Sequence, residues 1–374
     1  MNYAKKNVTF YSCVNSAFLS DFPVLTKEII RSSFSLLHSK NYKGKTNITY
    51  SGGSTGEPVP IIHCEEYNDW TNAALYNYYD SNFELNWQNA TTLEIWGSNI
   101  DIENKERTNL IKFIKNNIYS SYTYNCFVFG KSDYKRCVEI INSKRPFFLK
   151  GYVNSLLELA DYITKNNSLI HFPKYILPRT ATVNIECRNL LENTFHCKVV
   201  DLYGSREVSA IAAENNHSIP GEYHVFNSNN FIELDERGHI LVTNFHNYSM
   251  PIIRFDIGDE SSFIKNDDHQ QILGPIKGRI FDYLRFKNGR NIHAQYVISM
   301  FFATSIYQFQ IIQTSKESLK INYVDPCQSL KNDFIDKFQE KLNYRAGYEL
   351  QYSWNKVSQV EKTPNGKFMY VKGL

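Results

Sequence analysis

The stretch from Tyr50 to Pro60 contains residue types that can wrap a polyphosphate, and it reads Y-S-G-G-S-T-G-E-P-V-P. Its glycines permit left-handed turns and a close approach of backbone N–H groups, and its hydroxyl side chains add donors that can follow phosphate oxygens. The stretch therefore predicts a nucleotide-binding loop. The residues expected to contact phosphate are Ser51, Gly52, Gly53, Ser54, Thr55 and Gly56.

Two other kinds of loop share part of this pattern. A Walker-type P-loop needs a lysine directly after its last glycine and then a helix, whereas Glu57-Pro58 stands there in this chain. The nucleophile elbow of serine hydrolases, G-x-S-x-G, also matches, but an elbow passes from a strand into a helix. A serine hydrolase or acyltransferase with Ser54 as nucleophile is therefore the second interpretation. The prolines favour a strand on each side of the loop, at Ile48–Tyr50 and Val59–His63.

Three further clusters contain residues that could serve a nucleotide. Asp201–Glu207, D-L-Y-G-S-R-E, combines an aromatic residue that could stack on adenine with an acid that could bind magnesium. Met250–Asp259 ends in an acid after a glycine, and Asp259 could accept hydrogen bonds from both ribose hydroxyls. Thr363–Lys367, T-P-N-G-K, presents Lys367 on a tight turn, from which it could neutralise a reacting phosphate. Ordinary turns contain the same residue types, so each cluster alone is unspecific.

Composition limits the class of protein. The length of 374 residues predicts two or three domains, and a net charge of +3 without a basic block argues against nucleic acid as the main partner. The seven cysteines form no C-x-x-C pair, which favours a reducing compartment and no structural zinc. The N-terminus lacks a signal-peptide pattern, and polar residues interrupt the most apolar long window, Tyr296–Ile312. We therefore expect a cytoplasmic protein without a transmembrane segment.

Apolar periodicity predicts an α/β body followed by a smaller α+β module. Helical spacing connects three sets of core residues: Tyr67, Trp70, Ala74 and Tyr78; Leu110, Phe113, Ile114 and Ile118; Val153, Leu156, Leu157 and Ala160. Short apolar runs predict buried strands at Leu93–Trp96, Cys126–Phe129 and Lys198–Tyr203. A hairpin is expected from Phe231–Leu234 and His239–Thr243.

The last hundred residues have their own alternation of strands and helix. A hairpin turn at Asn288-Gly289 precedes two alternating strands, a helix and a further strand. The residues that mark these elements are Tyr307, Phe309 and Ile311; Leu319, Ile321 and Tyr323; Leu330, Phe334, Phe338 and Leu342; and Leu350, Tyr352 and Trp354. The boundary is expected at Gly278-Arg279, which gives a large domain of residues 1–278 and a small domain of residues 279–374.

The order of the clusters is more specific than any one of them. The series S-G-G-S-T-G-E-P, Y-G-S-R-E, P-I-I-R-F-D-I-G-D, G-R and P-N-G-K resembles the adenylate-forming superfamily, and within it the phenylacetate-coenzyme A ligase-like group that includes the CapK-type capsular polysaccharide proteins. Phe22–Glu28 and Leu149–Tyr152 add to the resemblance, which covers nearly the whole chain. It implies a large α/β N-terminal domain with mixed sheets and a small, mobile α+β C-terminal domain.

The resemblance also implies a two-step reaction. ATP and a carboxylic acid would give an acyl-adenylate and pyrophosphate, and a nucleophile would then take the acyl group. Residues 51–56 would hold the β- and γ-phosphates, and Tyr203, with Gly204 and Ser205 beside it, would lie against adenine. Glu207 would bind Mg²⁺, while Asp259 and Arg279 would contact the ribose. Lys367 would neutralise the charge that builds on the α-phosphate.

The acceptor is open at this point. Coenzyme A, the phosphopantetheine of a carrier protein, and an amine on a sugar or amino acid all remain, and no residue decides among them. The amine is favoured if the chain works in surface-polysaccharide decoration as the CapK-type proteins do. A catalytically inactive nucleotide-binding module is a third class of function. Among its departures from the family, Phe281, with Asp282 next, stands where relatives have the hinge acid, and Pro178–Thr182 contains no acid where relatives have an adenine-side motif with one. Cysteine spacings that bind zinc in some relatives are absent around Asp267–Gln271.

Overall fold

The computed structural model describes residues 1–50, 59–83, 90–96, 121–125, 131–179, 183, 185–267, 269–277, 283–301, 304, 306, 308–325, 330–360 and 370–374. Several predicted features lie outside these residues. They are the phosphate loop 51–56, the helix around 110–118, the strand 126–129, Arg279, Phe281, Asp282 and Lys367. The chain forms two compact units, one from the described parts of Met1–Ser51 and Pro60–Arg279, the other including those of Ile280–Leu374.

The described helices and strands are numbered here in chain order. The helices are α1 Asn2–Asn7, α2 Lys27–Ser32, α3 Phe34–Leu37, α4 Glu65–Asn82, α5 Lys131–Lys144, α6 Val153–Lys165, α7 Ile185–Phe195, α8 Ala294–Phe301 and α9 Asn332–Ala346. The strands are β1 Thr46–Tyr50, β2 Pro60–Cys64, β3 Thr92–Trp96, β4 Ser121–Asn125, β5 Phe148–Tyr152, β6 Tyr175–Arg179, β7 Lys198–Val199, β8 Leu202–Ser205, β9 Ser209–Glu214, β10 Tyr223–Val225, β11 Asn230–Leu234, β12 His239–Asn244, β13 Phe255–Glu260, β14 Phe263–Asn266, β15 Gln271–Leu273, β16 Tyr283–Arg285, β17 Asn291–His293, β18 Phe309–Ser315, β19 Ser318–Tyr323, β20 Gln351–Lys356 and β21 Val371–Lys372.

A parallel sheet in the order β4-β3-β5-β6-β7 forms the centre of the larger unit. Alternate residues of its strands enter two different cores, as a sheet covered on both faces requires. Leu93, Leu149 and Ile176 pack on one face with residues of α5, α6 and α7. Phe148 and Tyr175 pack on the other face against the second half of α4.

The other described strands of the larger unit pair with one another in antiparallel sheets. They form sheets in the orders β14-β15-β10-β9-β8, β11-β12-β13 and β1-β2. The hairpin predicted around residues 231–243 is present as β11 and β12. Together with the parallel sheet these strands confirm the predicted α/β domain with mixed sheets.

Two local predictions were wrong, each for a tertiary reason. Trp70 lies on the helix predicted for it, but it is 47% exposed and stacks on His246, with ring centroids 4.2 Å apart. The single strand predicted at 198–203 is divided between two sheets. After β7 the chain leaves the parallel sheet, because the backbone N–H of Asp201 donates to Glu214 rather than to a neighbouring strand.

The smaller unit contains the predicted hairpin, two strands, helix and strand in that order, with helix α8 after the hairpin and strand β21 at the end in addition. Its main sheet runs β20-β19-β18-β21, and α9 ends at Gly347, whose φ of 81° is a left-handed conformation that suits glycine. Phe338 and Leu342 of α9 pack into the core of this unit. The position of its boundary remains a prediction. Among the described residues, no helix is both long and apolar enough to cross a membrane.

Candidate active site

The structure brings together the two residues predicted to hold adenine and ribose. The hydroxyl of Tyr203, on β8, donates to Oδ2 of Asp259, on β13, at 2.9 Å. The ring of Tyr223 stands edge-on to that of Tyr203, with centroids 6.4 Å apart. A carboxylate accepts several hydrogen bonds, so Asp259 can accept from sugar hydroxyls while it fixes the phenol beside it.

A glycine bend in β13 positions Asp259. Gly258 has a φ of 86°, which a residue with a Cβ rarely adopts, and its N–H donates to Oδ1 of Asp256 at 2.8 Å. The pairing of β12 with β13 shifts register between His239 and Leu241. The bend therefore alters the direction of the strand just before the predicted ribose acid.

The segment after Tyr203 makes a tight turn that presents Ser205 and Glu207. Oγ of Ser205 accepts from the backbone N–H groups of Glu207 and Val208, at 3.2 and 3.3 Å. The register of β8 on β9 also shifts at Gly204. A Cβ at Gly204 would lie 2.2 Å from the carbonyl oxygen of Ser209, so the glycine is needed for a close approach of two backbones.

This contact gives a stability prediction for Gly204→Ala. Because the added methyl group meets backbone rather than a flexible side chain, we expect the free energy of unfolding to fall by about 1–3 kcal/mol. Gly274→Ala is the matched control, since its Cβ would meet the Ser262 hydroxyl at 3.1 Å and that side chain can rotate away. Urea denaturation measures both variants. Equal losses would contradict the role given to Gly204.

Glu207, the predicted magnesium ligand, is buried and paired with a lysine. It is 2% exposed, and its Oε1 lies 2.6 Å from Nζ of Lys27. Burial favours the neutral acid, but the Lys27 ammonium and hydrogen bonds to the carboxylate together outweigh it and lower the pKa of Glu207 below its ordinary value. Glu207 is therefore a carboxylate at neutral pH.

A neutral histidine fixes the backbone at the same residue. Nε2 of His63 lies 3.0 Å from the Glu207 carbonyl oxygen, and since that oxygen can only accept, Nε2 carries the proton. Burial lowers the pKa of His63, so its ring is neutral and Nδ1 can accept from Oγ1 of Thr49 at 3.3 Å. The ring stacks on Tyr67 at 4.1 Å, and the Tyr67 hydroxyl donates to Ser209 at 2.6 Å.

Residues 22–28, which the sequence analysis noted only for their resemblance to the family, place Lys27 beside Glu207. Arg254 Nη1 donates to the carbonyl oxygens of Ser20 and Phe22, each at 2.9 Å. Leu25 then pairs with β13, and Thr26 accepts from the N–H of Ile29 to cap α2, whose first residue is Lys27. Sequence reasoning gave Lys27 no role, because its partner lies far away along the chain.

The residues around Glu207 fit a magnesium ion carried by a nucleotide better than a protein metal cage. In the part of the chain that the structure describes, no group of three or more His, Cys, Asp or Glu side chains could bind a metal. Mg²⁺ is commonly held by one or two carboxylates together with substrate phosphates, and Glu207 can supply one. Lys27 would have to share the carboxylate with such an ion.

A network of buried charged side chains contacts the residue that precedes β8. Arg188 donates to both carboxylate oxygens of Glu214, at 2.7 and 2.8 Å, and Glu214 accepts from the backbone N–H of Asp201. Burial and the nearby Glu214 raise the pKa of Asp201 to about 6, and its carboxyl accepts from the Tyr223 hydroxyl at 2.8 Å. Tyr223 in turn contacts Tyr203, so the network is connected to the residue that is predicted to lie against adenine.

Two antiparallel strands flank the predicted phosphate loop, as expected. Tyr50 of β1 pairs with Pro60 of β2, and Arg206 donates to the Tyr50 carbonyl oxygen at 3.2 Å. The described start of the loop therefore lies beside the turn that contains Glu207. A strand, rather than the helix of a nucleophile elbow, follows the loop, which argues against Ser54 as a hydrolase nucleophile.

Comparisons with solved structures identify the class of fold. Structures of a 2-hydroxyisobutyryl-CoA ligase cover 99 to 100% of this chain and 86% of their own. One, in the thioesterification state with 2-HIB-AMP and CoA, has a TM-score of 0.58 and 16% identity, and one in the postadenylation state with R3-HIB-AMP has 0.57 and 15%. The chain thus has the fold of the adenylate-forming ligases, which confirms the fold predicted from the motifs.

Sequence comparisons show which proteins of that fold class this chain resembles in sequence. Residues 284–373 match the family described as the CapK C-terminal domain. The chain is 24% identical to Protein CapK of Staphylococcus aureus, over 98% of this chain and 85% of that protein. The resemblance to the CapK-type proteins that the motifs indicated is thus confirmed, by the family match over residues 284–373 and by the similarity to Protein CapK over nearly the whole chain.

Proposed function

We propose that this chain is an AMP-forming ligase that uses ATP to activate a carboxylic acid as an acyl-adenylate. The hydrogen bond between Tyr203 and Asp259 carries the proposal, because it joins the predicted adenine and ribose residues in one place. The turn that follows Tyr203 ends at the ionised Glu207. Structural relatives have been solved with R3-HIB-AMP or 2-HIB-AMP bound, which supports a nucleotide as ligand of this fold.

In this proposal each group acts on ATP or on the charge that develops during transfer. Tyr203, with Gly204 and Ser205, packs against adenine, while Asp259 and Arg279 bind the ribose. The hydroxyls and N–H groups of residues 51–56 hold the β- and γ-phosphates. Glu207 holds Mg²⁺, which supplies positive charge to the phosphates when it is bound. Lys367 lies at the α-phosphate, where a preorganised cation stabilises the transition state.

The second step transfers the acyl group to a thiol or an amine. A structural relative solved with CoA in a thioesterification state supports a thiol, either coenzyme A or a carrier phosphopantetheine. The motif resemblance to the CapK-type capsular polysaccharide proteins favours instead an amine on a sugar or amino acid as acceptor, with a role in surface-polysaccharide biosynthesis. Residues 279–374 would rotate on residues 1–278 between the two steps. Use of ATP, together with cysteines that form no C-x-x-C pair in the sequence, favours the cytoplasm as the location.

Pyrophosphate exchange tests the proposal. The wild-type chain should incorporate labelled pyrophosphate into ATP only when a suitable carboxylic acid is present. Lys367→Ala should lower the exchange rate by about 100-fold or more, the usual effect of removing one preorganised donor or charge from a transition state, while ATP still raises the melting temperature. Lys372→Ala, at an exposed position of β21, is the control and should exchange normally.

Three other outcomes would favour different conclusions. Equal exchange by Lys367→Ala and wild type would remove Lys367 from the mechanism. Labelling of Ser54 by a fluorophosphonate, without a need for ATP, would support the hydrolase. A melting-temperature increase with ATP, but no exchange with any acid, would support a non-catalytic nucleotide-binding module.

A further inference from the structure

A buried histidine connects the strand before the predicted phosphate loop to the turn that contains Glu207. His63, on β2, is 3% exposed. Its Nε2 donates to the carbonyl oxygen of Glu207 at 3.0 Å, and its Nδ1 accepts from Oγ1 of Thr49, on β1, at 3.3 Å. Thr49 precedes Ser51, the first residue of the predicted loop, by two positions. We call Thr49, His63 and Glu207 the histidine bridge.

The histidine bridge joins two separate sheets. Thr49 is opposite Ile61 in the antiparallel pair of β1 and β2, and His63 lies two residues beyond Ile61, so Thr49 and His63 are diagonal neighbours on one face. Glu207 follows 144 residues after His63, in the turn between β8 and β9. The imidazole is therefore the point at which the sheet of β1 and β2 is bonded to the turn with the predicted magnesium ligand.

Tyr67 fixes the orientation of the imidazole and contacts the end of the same turn. The two rings are stacked, with centroids 4.1 Å apart and an angle of 7° between their planes. The Tyr67 hydroxyl donates to Oγ of Ser209 at 2.6 Å, and Ser209 has a φ of 53°, a left-handed conformation that is uncommon for serine. One pair of stacked rings thus holds the turn at Glu207 and at Ser209.

A second hydrogen bond joins the turn to the end of β1. Nη1 of Arg206 donates to the carbonyl oxygen of Tyr50 at 3.2 Å. Two adjacent residues of β1, Thr49 and Tyr50, are therefore connected to two adjacent residues of the turn. Arg206 is exposed, so water competes for its hydrogen bond, whereas the bonds of His63 lie in the interior, where a hydrogen bond is electrostatically stronger. The histidine bridge is the stronger of the two connections.

A neutral imidazole suits this position because its two nitrogen atoms have opposite roles. One donates and the other accepts, so one rigid ring can bond a carbonyl oxygen and a hydroxyl group at the same time. Glutamine has its amide donor and acceptor at one end of a flexible side chain, and it could replace the bond to Glu207 but not both bonds. Phenylalanine could still stack on Tyr67, but it can make neither bond.

From these contacts we infer that His63 is a positioning residue that couples the phosphate loop to the magnesium ligand. Phosphates bound directly after β1 fix Thr49, and the imidazole carries that position to Glu207, which holds the ion on the same phosphates. Each contact then stabilises the other, which is a favourable coupling free energy between two parts of one ligand site. The inference rests on the proposed ligase function, and it adds a residue for which that function by itself requires no role.

The coupling is measured as the factor by which Mg²⁺ tightens the binding of ATP. Titration calorimetry gives the dissociation constants of ATP with Mg²⁺ and with EDTA, and that of AMP. His63→Phe should reduce the factor by about tenfold, and Thr49→Val, which leaves the histidine in place, by about fivefold. His63→Gln should recover part of the loss, since its amide can still donate to Glu207. AMP lacks the β- and γ-phosphates and should bind every variant as it binds the wild type.

A control on the same strand separates the bridge from a general effect of substitution. Thr46→Val changes a threonine at an exposed position of β1 and should leave the factor unchanged. A merely structural role for His63 would weaken ATP and AMP alike, with or without Mg²⁺, and this result would overturn the inference. If His63→Phe does not fold, Thr49→Val decides the question.

The remaining outcomes distinguish this inference from the ligase proposal. An unchanged factor in both His63→Phe and Thr49→Val, while the wild type binds ATP with Mg²⁺, would overturn the coupling and leave the ligase proposal standing. A reduced factor in His63→Phe alone would also overturn it, because the histidine would then act on Glu207 without β1. If the wild type bound no nucleotide, both proposals would fail.

Discussion

Arg188→Met is expected to lower the free energy of unfolding by about 3–5 kcal/mol. Arg188 and Glu214 form a two-pronged ion pair at 2.7 and 2.8 Å, and each side chain is 4% exposed. Methionine fills much of the same volume but leaves the Glu214 carboxylate buried without its counter-charge. Removal of one partner from a buried ion pair has a cost of this size because the remaining charge is desolvated without compensation.

A double variant separates the effect of the lost charge from that of the changed side-chain volume. Arg188→Met combined with Glu214→Gln removes both charges, yet Gln can still accept from the N–H groups of Asp201 or Gly221. We expect this double variant to recover more than half of the lost stability. Arg237→Met, at an exposed position, should stay within about 0.5 kcal/mol of the wild type. Urea denaturation gives all three values, and a loss below about 1 kcal/mol for Arg188→Met would contradict the account.

Local sequence signals predicted those elements whose cause is local. The hairpin of β11 and β12 follows from alternating apolar residues around a polar turn, and β16 and β17 follow from the Asn288-Gly289 turn. The order of motifs predicted the adenylate-forming fold, which the structural comparisons confirm. Two of the motifs, at Tyr203 and Asp259, do lie together.

Contacts between distant residues could not be predicted in this way. Helical periodicity placed Trp70 in the core, but only the folded chain brings His246 against it. Glu207 was identified by its motif, whereas its partner Lys27 is an ordinary lysine at the start of a short helix. Arg179, the last residue of β6, donates to the hydroxyl of Tyr79 on α4 at 3.3 Å, a contact that local sequence signals do not specify.

Lys27→Met is the second substitution from which we expect a large effect, a loss of about 3 kcal/mol in the free energy of unfolding. The substitution leaves the Glu207 carboxylate, 2% exposed, without the ammonium 2.6 Å from it. The value is at the lower end of the range for buried ion pairs, since the Lys27 side chain is 15% exposed and water partly compensates the loss. The pKa of Glu207 should rise in this variant, because the strongest of the influences that oppose burial is then removed.

The chain offers a matched pair as control for Lys27. Lys45 and Glu65 lie 3.3 Å apart, but their side chains are 88% and 55% exposed, so water screens their attraction. A double-mutant cycle with Lys27→Met and Glu207→Gln should give a coupling of about 2–3 kcal/mol, whereas Lys45→Met and Glu65→Gln should couple by less than about 0.5 kcal/mol. Similar couplings in the two cycles would show that Lys27 does not control the charge of Glu207. A large difference would establish that the segment before α2 positions the acid at the candidate active site, since Arg254 and β13 place Lys27 there.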